Sequence, residues 1–256
     1  YCPTVDGETT PTGCLITATA ILMKYHEWPN KGKGTLPGYT TATKKINMPS
    51  IELGHEYLWD KMAMAYGYKY EEEQADQVAR LMADLGTMLA ADYVPGGTGA
   101  AAYHVSNTLP LYMDYDESAL YRGRCDYMGA DWHAMMKNEL QEGRPILYSG
   151  FNDEAGHSFI LDGYTTDDYY SVNWGWGSYC NGYFLLEALE PQGSGTGGNG
   201  EHYNFNQTAC SKSVCTKAHE FFSIIKRRDT TSCFYFYFCS NMFSHKRNVV
   251  KCCPAC

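Results

Sequence analysis

Apolar residues run almost without a break through residues 14–26 (CLITATAILMKYH), and Thr12-Gly13 just ahead can supply a turn. That pattern predicts a buried helix starting at or near Cys14. Trp28-Pro29 and Gly32–Gly38 read as loop. From Glu71 to Ala91 three acids open the segment and apolar residues follow at helical spacing, which predicts an amphipathic helix with its acids at the positive end of the dipole. A glycine-rich loop follows at Pro95–Gly99, then a short helix over Asp131–Glu142 ended by Gly143. The period then changes. Pro145–Ser149, His157–Tyr164, Tyr169–Trp174 and Tyr183–Leu186 are short, rich in Ile, Val, Tyr and Phe, and separated by Gly, Asn and Asp, as strands joined by tight turns are. Helices first and strands afterward predict an α+β domain, a helical half packed against a sheet half with a cleft between them.

The composition supports a packed core, since 44% of the 256 residues are hydrophobic and 14% aromatic. No run of about 18 apolar residues occurs, so no membrane span is expected. Tyr1-Cys2-Pro3 has neither a basic start nor an apolar stretch, so no signal peptide is read, and the absence of an initiator Met suggests a processed product or fragment. Charge divides the chain. Residues 1–209 hold 12 Lys and Arg against 27 Asp and Glu, whereas residues 210–256 hold 8 against 2. An acidic body argues against nucleic acid as partner. Only Cys2, Cys14, Cys125 and Cys180 fall in the first 209 residues, too few and too scattered for a disulfide framework. Past the glycine-rich run Gly193–Gly200 the chain loses its pattern, becoming basic, Cys-rich and aromatic beyond Ala209. The expected domain is therefore 1–209, with 210–256 a tail outside the fold.

Two segments carry chemistry. A cysteine at a helix start lies in the positive end of the dipole near unpaired N–H groups, which favours the thiolate; the plain alternative is a buried structural cysteine. Downstream, Gly156–Tyr164 (GHSFILDGY) places His157 at the opening of one strand, and Ser171–Gly177 (SVNWGWG) places Asn173 at the close of the next. Side by side at one sheet edge, the Asn amide could orient the imidazole while two tryptophans keep water away. Alternatively NWGWG is simply an aromatic turn and His157 a satisfied polar residue. Cys, His and Asn in this order follow the papain-like arrangement.

At these motifs the sequence resembles the streptopain family of bacterial cysteine peptidases, peptidase family C10. The resemblance runs through PTGCLITATAILMKYHEWPNKG, EYLWDKM, VARLMADLG, DYVPGGTG, GHSFILDGY, YYSVNWGWGSYCNGYFLL and ALEPQGSGTGGNG, covering about residues 1–209. It implies a papain-like fold and a cysteine endopeptidase in which Cys14 is the nucleophile, His157 the general base and acid, and Asn173 the orienting amide. It further implies that Trp174 and Trp176 wall the primed side of the cleft, that Gly96, Gly97 and Gly156 lie along bound substrate, and that Gly193–Gly200 is a loop at the site. Its implied partners are protein or peptide substrates and an upstream inhibitory propeptide. Its implied location is secreted or cell-surface. The Cys14 N–H would be one oxyanion donor and an upstream glutamine the other; no Gln lies between Tyr1 and Gly13, so the chain as it stands is expected to be impaired.

Two departures stand out: Cys180, where the family has a small polar residue, and the basic tail in place of a final strand after Asn206-Gln207-Thr208-Ala209. Two rivals remain at this point, a catalytically silent adhesin or binding module on the same fold and an acyl-transfer enzyme of transglutaminase type. No cofactor or metal is expected: Cys253-Pro254-Ala255-Cys256 lacks a redox context, the tail lacks paired zinc spacing, and Asn206-Gln207-Thr208 matches a glycosylation sequon only by pattern. His26, His55, His104, His133 and His202 read as surface or satisfied core residues.

Overall fold

The computed structural model describes residues 1–63, 66, 70–193 and 202–211. The basic tail beyond Ser211 and the glycine-rich run beyond Gly193 lie outside the described residues.

The first helix, α1 (Cys14–His26), begins at the predicted cysteine and is buried from Leu15 to Lys24. It is apolar on nearly every side because neighbours cover it on nearly every side. The second, α2 (Glu72–Met88), starts where the acids predicted, and the Gln74 side chain accepts the Glu71 backbone N–H at 3.0 Å to close its first turn. Helix α3 (Tyr103–Tyr112) was not legible in the sequence: it is short, carries Pro110 in its last turn, and has Ser, Asn and Thr where strong helix formers would have signalled it. Helix α4 (Gly129–Gln141) matches the predicted short helix.

Among the described residues the main sheet has six strands: β1 (Leu120–Gly123), β2 (Ile146–Phe151), β3 (Gly156–Tyr164), β4 (Tyr170–Asn173), β5 (Gly182–Phe184) and β6 (Phe205–Ser211). All pair antiparallel in the order β5-β4-β3-β2-β6-β1. The sequence yields β2 to β5 and misses the two that complete the other side. β6 joins the sheet between β2 and β1 and runs two residues past Ala209, where the sequence ends the domain.

Period-two alternation divides the strands between two cores. Leu147, Ile160 and Cys210 point to the face covered by α1, α2 and α3. Ile146, Tyr148, Phe159, Leu161 and Ala209 point to the opposite face, against Trp132 and Met136 of α4 and the 185–189 turn. This is the expected α+β architecture, and the sheet is covered on both faces. A fully buried leucine or isoleucine of α1 contributes roughly 1.5–3 kcal/mol of transfer free energy, so the rows along α1 fix that helix, and with it Cys14, firmly on β2 and β3.

A candidate thiol–imidazole site

Gly13 caps α1 with φ near 100°, a left-handed conformation that an L side chain adopts only under strain. A Cβ there would also fall 2.7 Å from the Thr98 carbonyl oxygen. Gly13 thus lets two segments meet: the approach to Cys14 and the 95–99 loop, whose Thr98 hydroxyl donates to the Pro11 carbonyl at 2.5 Å. The loop is closed by a backbone pair between Asp92 and Gly99, and within it Gly96 is exposed and Gly97 half-buried, with open space where their side chains would be. The predicted loop is therefore brought to the start of α1.

Cys14 is half-buried at the first turn of the helix. Burial by itself would push the thiol upward. Opposing it are a hydrogen bond with the His157 side chain, the charge of that imidazole, and the backbone N–H groups of Ser158 and Leu15, which together leave the thiol below its ordinary value. The Ser158 N–H is available because β4 ends at Asn173 opposite Ile160, so the ladder on that side of β3 stops short of Ser158.

His157 lies directly opposite Gly150 on β2, and its Nε2 is 2.9 Å from the Trp174 carbonyl oxygen. A carbonyl only accepts, so Nε2 holds its proton, and Nδ1 is left as the nitrogen that meets the thiol. Trp174 is itself held, its backbone N–H donating to the Asn181 amide oxygen at 3.0 Å, while the Gly175 N–H donates to the Asn173 amide oxygen at 3.1 Å. The expectation gives the Asn173 amide the task of orienting the ring. In the structure Nε2 lies 2.9 Å from the Trp174 backbone carbonyl, and Asn173 accepts from Gly175 in the turn that carries this carbonyl. A main-chain acceptor leaves no residue signature, so the Trp174 carbonyl is not announced by the sequence.

The tryptophans do enclose the imidazole. Ring centroids lie 4.9 Å from His157 for Trp176 and 6.0 Å for Trp174. Tyr203 at 5.4 Å and Phe159 at 6.0 Å complete the surroundings, and neither was picked out from the sequence. His157 and Asn173 retain 2% exposure and Trp174 none. Gly156, one residue before His157, has a packing role: a Cβ would strike the Phe151 ring at 2.4 Å, so glycine lets that ring lie across the strand.

Three of the other histidines have polar partners. His26 meets the Tyr115 hydroxyl at 3.2 Å, His55 pairs with Asp84 at 2.9 Å, and His133 lies between Tyr170 and Glu187. Among the described residues no group of three or more His, Cys, Asp or Glu is placed to hold a metal ion, and no helix is long and apolar enough to cross a membrane.

A thiol at a helix start, facing an imidazole on an antiparallel sheet, defines a papain-like fold carrying a Cys–His pair. A model of the Peptidase C10 family matches residues 1–184, and the chain belongs to that family. It is similar to streptopain of Streptococcus pyogenes, 35% identical over 211 residues, a match covering 79% of this chain and 52% of that protein. It is also similar to the thiol protease/hemagglutinin PrtT of Porphyromonas gingivalis, 31% identical over 202 residues, covering 79% of this chain and 23% of that one. The chain thus spans about half the length of streptopain. Among solved structures, active wild-type interpain A, a cysteine protease of Prevotella intermedia, superposes with a TM-score of 0.74 at 28% identity, over 84% of this chain and 88% of that one. A fragment of prointerpain A gives 0.70 at 28% identity, over 84% of this chain and 67% of that one.

Proposed function

We propose that this chain is a cysteine endopeptidase acting through Cys14 and His157. The observation that carries the reading is the thiol placed at a helix start and hydrogen-bonded to an imidazole whose far nitrogen is fixed on the Trp174 carbonyl. In the first half-reaction the Cys14 thiolate attacks the scissile carbonyl carbon, forming a C–S bond. His157 then gives its Nδ1 proton to the departing amine as the C–N bond breaks. In the second, His157 takes a proton from water, the hydroxide adds to the thioester carbon, and the C–S bond breaks to return the thiolate. Nε2 keeps its proton throughout, so the ring need not turn between the two halves. The backbone N–H of Cys14, in the first turn of α1, is the proposed oxyanion donor from this chain.

Trp174 and Trp176 are the proposed wall beside the leaving group, and Gly96, Gly97 and Gly156 the proposed backbone along which substrate lies. Asn173 is proposed as the residue that orients His157, its amide also holding the turn that carries the Trp174 carbonyl. The proposed domain is 1–209, to which Cys210 and Ser211 at the end of β6 add. The proposed substrates are proteins or peptides; the acidic body leaves nucleic acid outside the proposal. On the precedent of prointerpain A the proposal includes a pro-segment as a further partner, and on the family resemblance a secreted or cell-surface location.

The test is labelling by the epoxide E-64. One adduct per chain, mapped to Cys14 and accompanied by loss of peptide hydrolysis, is expected in the wild type, with neither labelling nor hydrolysis in Cys14→Ser. A wild-type chain that takes no adduct and cleaves no protein contradicts the reading and leaves a binding module on the same fold. Amine incorporation into a glutamine-bearing acceptor would instead indicate an acyl transferase.

A further inference from the structure

We infer that Tyr203, held in place by Gln207, is a positioning residue for His157. The inference rests on the peptidase reading for its consequences, though not for its geometry. Both residues lie outside the segment matched by the family model, which ends at residue 184.

Tyr203 is fully buried, and its ring sits 5.4 Å from the His157 centroid and 5.7 Å from that of Trp174. It adds a further aromatic ring beside the imidazole to those of Phe159, Trp174 and Trp176. Its backbone is wedged as firmly as its ring. The Tyr203 carbonyl oxygen lies where a Cβ on Gly150 would be, at 2.1 Å, and Gly150 is the residue opposite His157 in the ladder. A side chain at position 150 would therefore push Tyr203 away from the histidine.

Gln207 fixes this arrangement from below. It is buried, and its amide nitrogen donates to the Tyr203 carbonyl at 3.2 Å and the Leu186 carbonyl at 2.5 Å. Its amide oxygen accepts from the Tyr148 hydroxyl at 2.7 Å and from Arg124 at 2.5 Å. Both donors and both acceptor positions are used, so the amide has a single low-energy orientation and cannot swing without orphaning buried groups. β6 thereby anchors the start of its own strand to the site.

The chemical consequence concerns the charged ring. When Cys14 is a thiolate, His157 is an imidazolium, and aromatic rings within about 6 Å favour a cation while excluding the water that would compete for the Nε2 proton. Among the described residues, Cys14 and Tyr203 are titratable groups that meet His157. Losing the Tyr203 ring weakens the imidazolium and loosens the ring plane, so fewer molecules hold the ion pair at mildly acid pH.

The experiment compares wild type, Tyr203→Phe, Tyr203→Leu and Gln207→Glu, each checked for a cooperative thermal transition. Two readouts are taken: alkylation of Cys14 by iodoacetamide across pH 5–9, followed by peptide mapping, and kcat and KM for a peptide substrate. Tyr203→Leu is expected to lower low-pH alkylation and kcat about three- to tenfold with KM unchanged, and to move the acid limb of both profiles upward. Tyr203→Phe keeps the ring and is expected to stay near wild type. Gln207→Glu keeps the shape but removes the two donors, and is expected to move the acid limb in the same direction; it decides the matter if Tyr203→Leu fails to fold. Folded Tyr203→Leu or Gln207→Glu with wild-type alkylation and kcat overturns the inference. A wild type that alkylates at low pH yet cleaves no peptide defeats the peptidase reading instead, and the alkylation comparison still decides this one.

Discussion

The two faces of the sheet are built from different material, and the two reacting groups come one from each. On the side of α1 the core is largely aliphatic: Leu15, Ile16, Ile21, Leu22, Leu81 and Leu85 interlock between helices. On the other side it is largely aromatic, with Trp132, Tyr148, Phe159, Tyr170, Trp174 and Tyr203 in contact. Cys14 belongs to the first side and stays half-buried, because a nucleophile must reach its substrate. His157 belongs to the second and is almost wholly covered. Aliphatic packing is dense but nondirectional, and it serves to fix a helix terminus in space. Aromatic rings and main-chain carbonyls define planes and directions, which is what a ring that must transfer protons through one nitrogen while guarding the other requires.

If that division holds, damage to the two sides differs in kind. The largest expected effect on stability is Leu22→Ala, a fully buried position in the middle of α1. It should cost about 2–5 kcal/mol in chemical denaturation, while the fraction still folded labels at Cys14 with an unchanged pH profile. A shifted profile in folded Leu22→Ala would show that helix packing, rather than the aromatic surroundings of His157, sets the ion pair.

A smaller effect is expected at Asp162, also on β3. Burial raises its carboxyl to about 6, against a hydrogen bond from Ser171, and its Oδ1 is buried without a partner. Because the folded value lies above the unfolded one, the folded state binds the proton more tightly between pH 4 and 6. Stability is therefore expected to fall as pH rises through that window and to level off above it. Asp162→Asn should flatten this dependence and stabilise the protein at neutral pH by at most about 3 kcal/mol, read from denaturation midpoints at several pH values. An unchanged slope in the variant would assign the dependence to another group.

Much of this was readable in residue order, and the rest was hidden for physical reasons. Continuous apolar runs announced α1, and alternation announced β2 to β5, since both are patterns a buried surface imposes locally. β1 and β6 escaped because their pairing is with strands distant in sequence and their residues are exposed in part. The Cys14 and His157 segments were legible as motifs. The acceptor at Nε2 was not, because it is a backbone carbonyl. Nor were the Ser158 N–H on the sulfur and the Tyr203 ring beside the imidazole, which only the closing of the sheet brings into place.

The charge state of Cys14 is what the His157 pairing must set, and iodoacetamide alkylation of that residue as a function of pH, in wild type and His157→Ala, measures it. The wild type is expected to react at a nearly constant rate well below the ordinary thiol range, and His157→Ala only as pH rises toward 8–9. Superimposable profiles in the two chains would mean that the imidazole does not hold the thiolate, and would contradict the assignment of these two residues as one working pair.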